Sequence, residues 1–398
     1  MFEPETVLVE RVAAGGTVSH VADGRAVFLR HAIPGERVRV EITEEHARFL
    51  RGDAIEVLEA SPYRVNAPCP YAHADGCGGC DLQHVAPSYQ PEWKAALIAD
   101  QLRRVAHFEY DVTVHAVEES AQGSRSRLRF AVDQTGHLAL RKSRSNELQP
   151  IAGCWIGDSE FTEGLAATWD GAVEVELRAL GGEPAFAVVT FDDGAQVTSD
   201  LDGLIDDEPR RSSVLVGKNR FRISANSFWQ AHRRAPEVLT EAVMRVAKVR
   251  PRDRVIDLYA GVGLFSVPLG VAVGPEGEVL AVEESDVACA DARRNVADLP
   301  QVKVVEQKVT PRRIAELVPA DSIVVLDPPR AGAGIAVMEA LVASMPRRIV
   351  YVSCDAATFA RDVAVLRAKG YELVDLQGFD LFPMTEHVEI VAALDRTL

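Results

Sequence analysis

The chain has 398 residues, 47% of them hydrophobic, and a formal net charge of −16. That length exceeds a single hydrophobic core and implies two or three domains, and the charge excludes a generally basic nucleic-acid binder, though not a local basic track. No apolar run is long enough to span a bilayer, and Met1-Phe2-Glu3-Pro4-Glu5 lacks the basic, apolar pattern of an export signal, so a cytoplasmic enzyme is expected.

Residues 1–62 read as short strands between turns marked by Gly and Pro. Thr6-Val7-Leu8-Val9, Ala26-Val27-Phe28-Leu29 and Val38-Arg39-Val40-Glu41-Ile42 are separated by Ala14-Gly15-Gly16 and Pro34-Gly35-Glu36. The alternation predicts a small β-barrel or another small all-β module. Residues 63–111 carry Cys69, Cys77 and Cys80 in a stretch without periodicity, then Pro91 and an apolar run to Leu102 that predicts a helix with proline in its first turn. With Cys154 far downstream, four thiolates are available. Such a set holds zinc or an iron–sulfur cluster, and spacing leaves both open. Cys289 has no evident partner and reads as packing.

Residues 112–225 are β-rich. Leu128, Phe130 and Val132 alternate with Arg125, Arg127 and Arg129, giving one mostly apolar face and one of guanidinium groups. After a turn at Asp133-Gln134-Thr135-Gly136 come Arg141, Lys142 and Arg144. The commonplace reading of such a face is solvation. Residues 226–398 change to a βα pattern, with strands at Arg254–Leu258, Glu278–Glu283, Val302–Val305, Ile323–Asp327 and Arg348–Ser353 and a closing antiparallel pair at Tyr371–Leu376 and His387–Leu394. This predicts an α/β fold with a doubly wound sheet.

Ligands of such sheets lie beyond the carboxyl ends of the strands, where Asp257, Glu283, Asp327 and Cys354 fall in succession. Gly261 and Gly263 let the backbone pass close to a ligand, while the absence of a third glycine and of a Lys-Ser or Lys-Thr pair argues against dinucleotide and phosphate-loop patterns. Glu283 lies 26 residues past Asp257, suitably placed for ribose hydroxyls. Asp327-Pro328-Pro329-Arg330 forms a rigid strand exit that holds an acid near the ligand.

Together these residues resemble the uracil-C5 RNA methyltransferases, which use S-adenosylmethionine. The motifs that carry the resemblance are Ser227-Phe228-Trp229-Gln230, Asp257 to Gly263, Asp327 to Arg330, Tyr351 to Asp355 with Thr358, Arg361 and Asp362, and Phe382-Pro383 through His387-Val388-Glu389. The resemblance implies a class I methyltransferase sheet, with Cys354 as nucleophile, Glu389 as general base, and Gln230, Tyr259, Glu283 and Asp327 around the cofactor. It implies that the N-terminal barrel is a TRAM domain. It also implies that Cys69, Cys77, Cys80 and Cys154 ligate a [4Fe–4S] cluster, as in the ribosomal-RNA members. The chain departs from the family at His232 and Asp355, where Asn is usual, at Glu306-Gln307-Lys308, where an acid near the adenine is common, and at Ala331, where Lys is frequent.

The chemistry needs both side chains. A thiolate adding to uracil C6 makes C5 nucleophilic, and after methylation a carboxylate removes the C5 proton so the thiol can leave. A duplex hides C5 and C6, so the target is a loop or flipped uridine, with the six basic residues from Arg125 to Arg144 on phosphates. Phe228 and Trp229 read as packing. The resemblance implies 23S rRNA rather than transfer RNA, because the family's transfer-RNA members commonly lack both the barrel and the cysteine cluster. The alternatives are a transfer-RNA uracil-C5 methyltransferase, disfavoured cytosine-C5 and small-molecule enzymes, and a catalytically silent RNA-binding protein.

Overall fold

The computed structural model describes residues 5–181, 183–206 and 208–397; residues 1–4, most of the chain start read above, lie outside them. Six N-terminal strands lie side by side in the order Glu5–Leu8, Arg37–Glu45, Phe49–Glu59, Ala26–Arg30, Gly16–His20 and Arg11–Ala13. Alternate residues turn inward, so Val7, Val27, Leu29, Val38, Val40 and Leu50 form a core of their own. The three strands expected from the sequence are present, and Arg11–Ala13, Gly16–His20 and Phe49–Glu59 join them. The turn between the second and third strands requires glycine. Gly16 has φ +130°, and a Cβ there would stand 2.1 Å from the Leu29 carbonyl oxygen.

The C-terminal sheet has eight strands in the order Val302–Glu306, Glu278–Glu283, Arg254–Leu258, Ile323–Leu326, Arg348–Ser353, Glu389–Arg396, Tyr371–Asp380 and Thr113–Ala116. The first five are parallel and flanked by helices, and Arg348–Ser353 is buried along its whole length. That burial on both faces is why these strands read as continuous apolar runs. Glu389–Arg396 enters antiparallel between Arg348–Ser353 and Tyr371–Asp380.

A second six-stranded sheet, Leu148–Pro150, Leu138–Arg141, Arg127–Val132, Ala172–Arg178, Phe186–Phe191 and Gln196–Ser199, forms the middle of the chain around Phe130, Phe161, Trp169, Val175 and Leu177. This unit is narrower than 112–225. Thr113–Ala116 pairs with Gln377–Asp380 at the edge of the C-terminal sheet. The hairpin Arg211–Val216/Asn219–Ser224 packs Phe221 and Ile223 with Trp229, Leu239 and Val243. Alternation identifies a strand but not its partner, so both pieces were legible as β and misplaced by neighbourhood.

Helix Gln90–Val105 joins the parts. Trp93, Ile98 and Leu102 enter the core shared with Phe359, Leu373 and Leu376. Lys94, 0% exposed, is ion-paired with Asp380 and donates to the Phe382 carbonyl at 2.9 Å. The Gln90 side chain donates to the Leu82 and Val85 carbonyls and accepts from the Met384 amide. The loop between the last two strands is thus fixed from below by one helix. Removing one member of a buried ion pair costs about 3–5 kcal/mol, because the other charge stays buried. Lys94→Ala is therefore expected to lower the unfolding free energy by about 3 kcal/mol or more, and Lys94→Met with Asp380→Leu by less, as measured by urea denaturation.

Candidate active site

The parallel strands deliver their C-terminal residues to one edge of the sheet. Asp257 is the penultimate residue of its strand and Glu283 the last of the next, while Asp327 and Cys354 directly follow Leu326 and Ser353. On the cofactor side, the chain turns sharply after Leu258. Tyr259, Gly261 and Gly263 all have positive φ, at 61°, 54° and 89°, and for Tyr259 the left-handed backbone marks a position held by its surroundings. Glu283 holds this turn, accepting from the Gly261 amide at 2.9 Å with one oxygen and from the Glu284 and Ser285 amides with the other. A carboxylate offers about four acceptor positions, so the turn leaves little capacity for a further donor. Asp257 is fully buried; its Oδ2 accepts from Ser266 Oγ at 2.5 Å and its Oδ1 has no partner.

The segment ending in Gln230 is brought in by Asp291, a residue the sequence reading missed. Its buried carboxylate accepts from the Ser224 amide and hydroxyl, both at 2.8 Å, and from Ser227 Oγ at 2.5 Å. The signal was only a serine pair upstream and an acid on an unremarkable helix. Gln230 and Trp229 are buried, but Phe228 is 59% exposed with the Arg127 guanidinium 4.7 Å from its ring centroid. Phe228 is therefore not a packing residue, contrary to the sequence reading. His232 works as the Asn it replaces. Its Nδ1 accepts from the Arg234 amide, closing the turn before helix Ala235–Ala247.

On the nucleophile side, Ser353 pairs with Ile390. One step further, Cys354 and Glu389 are neighbours across the two strands. Asp355 caps helix Ala356–Ala368, accepting from the Thr358 amide at 2.8 Å, which an Asn side chain would do equally. Thr358, Arg361 and Asp362 then clamp the Arg330–Gly334 turn. Thr358 donates to the Arg330 carbonyl, Arg361 to that of Ala331, and Asp362 accepts from the Ala333 and Gly334 amides. The spacing i, i+3, i+4 in the motif is that of one helix face pressed on the Pro-Pro turn.

The electrostatics are dominated by burial. Glu389 is 5% exposed, its Oε2 has no partner, and burial and then Asp327 push its pKa well above the usual range, against Arg125 and Arg330. Burial, Glu389 and Asp327 push the Cys354 thiol up to about 12, and a hydrogen bond from Arg330 opposes them. Arg330 Nη2 also donates to His387 Nε2 at 2.5 Å; burial and then Arg330 lower His387 to about 4, keeping it neutral. The site thus sets the Cys354 thiol beside a carboxyl whose ionisation is disfavoured by burial, with the Arg330 charge opposing both shifts. The Arg330–His387 contact crosses 57 positions and has no local mark in the chain.

The predicted basic track divides. Arg125 is 8% exposed; its guanidinium carbon lies 4.5 Å from the Phe382 ring centroid and its Nε has no partner. Arg129 lies opposite Glu176 across the strand pair and bonds it, and Arg127 and Arg178 bring further charge to the same carboxylate. Arg141 and Arg144 are exposed; Lys142 is half-buried and paired with Glu147 at 3.0 Å. Cys69, Cys77, Cys80 and Cys154 line one cavity with Arg125 and Trp155. Burial pushes the Cys80 and Cys154 thiols up to about 12 and about 11. Among the described residues no three His, Cys, Asp or Glu side chains stand close enough to hold a single metal ion. The four thiols surround a space rather than a point.

Residues 313–397 match the family described as tRNA (Uracil-5-)-methyltransferase, and residues 3–55 match the TRAM domain. An RNA methyltransferase of Streptomyces avermitilis is 38% identical, covering 99% of this chain and 99% of its own, and one of Streptomyces coelicolor is 37% identical, covering 99% and 93%. The crystal structure of Pyrococcus abyssi tRNA (uracil-54, C5)-methyltransferase in complex with S-adenosyl-L-homocysteine superposes with a TM-score of 0.70 at 23% identity, over 98% of this chain and 99% of that one, a likeness of fold. Fold and site define an S-adenosylmethionine-dependent RNA methyltransferase with an N-terminal TRAM domain. The chain belongs to the uracil-C5 RNA methyltransferase family.

Burial pushes Asp257 up to about 7, and burial with Asp257 beside it does the same to Asp327. Between about pH 4 and pH 7 the folded protein keeps protons that the unfolded chain releases, so stability falls as pH rises through that window. Asp257→Asn keeps an acceptor for Ser266 and removes the titration. It is expected to flatten the decline of Tm between about pH 5 and pH 8 in thermal melts, and an unchanged slope contradicts the assignment.

Proposed function

We propose that the protein forms 5-methyluridine in RNA, in 23S rRNA, through a covalent intermediate on Cys354. The observation that carries this reading is the adjacency of Cys354 and Glu389 on antiparallel strands, beside Asp327 and under Arg330. A carboxyl pushed up by burial and a thiol facing the Arg330 charge suit a reaction in which both groups lose a proton and regain one.

The Cys354 thiol and the Glu389 carboxyl first release their protons to solvent, and the Cys354 thiolate, opposite the Arg330 charge, adds to C6 of the flipped uracil and leaves C5 nucleophilic. S-adenosylmethionine supplies the electrophilic methyl group. Glu389, ionised with the help of Arg125 and Arg330, takes the C5 proton, and the Cys354–C6 bond breaks to restore the ring. Gln230, Tyr259, Glu283 and Asp327 are the cofactor-side residues. Gln307, whose buried Oε1 has no partner and whose amide donates to the Glu283 carbonyl at 2.7 Å, is suited to accept from the adenine amine in place of an acid. Arg129, Arg141, Lys142 and Arg144 supply phosphate contacts from the surface, Arg127 with Phe228 forms a stacking position, and Arg125 acts inside the pocket.

The cysteine cavity is assigned to a [4Fe–4S] cluster, which spreads four thiolates around a volume as this cavity does. Anaerobically purified protein is expected to contain iron and sulfide in equal amounts, both lost with Cys154→Ser, and stoichiometric zinc without iron overturns the assignment.

A transfer-RNA substrate is the second reading, favoured by the fold likeness to the Pyrococcus abyssi tRNA (uracil-54, C5)-methyltransferase over nearly the whole chain. The deciding assay supplies methyl-labelled S-adenosylmethionine with 23S rRNA or transfer-RNA transcripts and maps the label. Label at uracil C5 of 23S rRNA is expected, and Cys354→Ala should reduce it by about three orders of magnitude or more. Label on another atom, or none with either RNA, contradicts the proposal.

A further inference from the structure

We infer that Glu386 is a positioning residue that docks the TRAM barrel onto the catalytic loop and makes the barrel's Ala13–Gly16 turn one wall of the pocket at Cys354. The loop from Leu381 to Val388 joins the last two strands of the methyltransferase sheet and ends at Glu389. Its Glu386 carboxylate accepts from the Gly15 amide at 2.8 Å, 371 positions away. Gly15 and Gly16, both at positive φ, line one cavity with Glu386. Asp81 of the cysteine segment lines the same cavity as Glu386, and the Leu82 amide donates to the Met384 carbonyl at 2.9 Å. Ala14, at the tip of the barrel turn, lines the same pocket as Cys354, Asp355 and His387. Arg144 reaches the turn from the central sheet: a Cβ on Gly15 would stand 3.1 Å from its Nη2.

Four segments thus meet at Glu386: the barrel turn, the cysteine segment, the central-sheet turn and the catalytic loop. The same loop is also held by Lys94 at Phe382 and by Gln90 at Met384. What the contact adds is a fixed distance between the barrel and the thiol. RNA held by the barrel is then in register with the nucleophile, and its binding does not have to order the barrel first. The role in RNA register rests on the proposed uracil-C5 reaction; the docking contact does not.

The test uses full-length Glu386→Ala, Glu386→Gln and Glu386→Asp. Amide hydrogen exchange at Gly15 and Gly16 is expected to speed up about tenfold in Glu386→Ala and less in Glu386→Gln, whose amide oxygen still accepts. The KM for RNA should rise about tenfold while kcat changes less than about threefold, because the contact positions substrate and touches no reacting atom. If Glu386→Ala does not fold, Glu386→Asp, one methylene short of the turn, carries the same measurement. Unchanged exchange at Gly15 and Gly16 overturns the docking contact. Faster exchange with an unchanged KM, or with a loss confined to kcat, overturns the positioning role. Faster exchange together with a wild-type protein inactive on RNA supports the docking and sinks the proposed reaction alone.

Discussion

One strand running against its neighbours makes the site. Five parallel strands can place residues beyond their carboxyl ends, but a residue there can meet only another of the same kind or a flanking loop. Glu389–Arg396 enters the sheet antiparallel beside Arg348–Ser353, so the first residue of one strand faces the residue after the last of the other. Cys354 and Glu389, 35 positions apart, are brought together by the pairing that ends one step before them, at Ser353 and Ile390. The pairing register is held by Ile349, Val350 and Val352 against Leu394, Ala393 and Val391, all buried. A slip of one residue would turn every one of these side chains to the wrong face.

The same burial that fixes the pair sets its chemistry. Asp257, Asp327 and Glu389 form a run of acids in a dry site, each raising the pKa of a neighbour. Two cations oppose this at Glu389: Arg330 from the Pro-Pro turn and Arg125 from the central domain. Arg125 lies between the cysteine cavity and Phe382. The central domain and the cysteine segment are therefore part of the electrostatic surroundings of Glu389, and helix Gln90–Val105 braces the loop that leads to it.

Much of this was legible in the chain. The parallel strands declared themselves as apolar runs ending in Asp257, Glu283, Asp327 and Cys354, because a sheet covered on both faces needs apolar residues throughout. The glycine turn was readable because Gly261 and Gly263 sit where the backbone has positive φ. Partnership across long separations was not readable. Nothing local marks Arg330 for His387, Lys94 for Asp380 or Asp291 for Ser224 and Ser227; each pair exists only once the sheet has closed. The arginine alternation gave the strand at Arg127–Val132 but not the acid Glu176 opposite it, nor the burial of Arg125. Phe228 failed for a related reason, since a helical or strand period cannot assign exposure within an irregular segment. The departures at His232 and Asp355 turned out to be helix-start positions where His and Asp make the hydrogen bonds Asn would.

The central claim is that one sulfur atom bonds to the pyrimidine and one carboxylate later frees it. Incubating Glu389→Gln with S-adenosylmethionine and substrate RNA, followed by denaturing electrophoresis and peptide mass analysis, tests both halves together. A methylated RNA adduct on the peptide containing Cys354, absent from Cys354→Ala/Glu389→Gln, is the result this account requires. Full turnover by Glu389→Gln, or an adduct on any other residue, contradicts it.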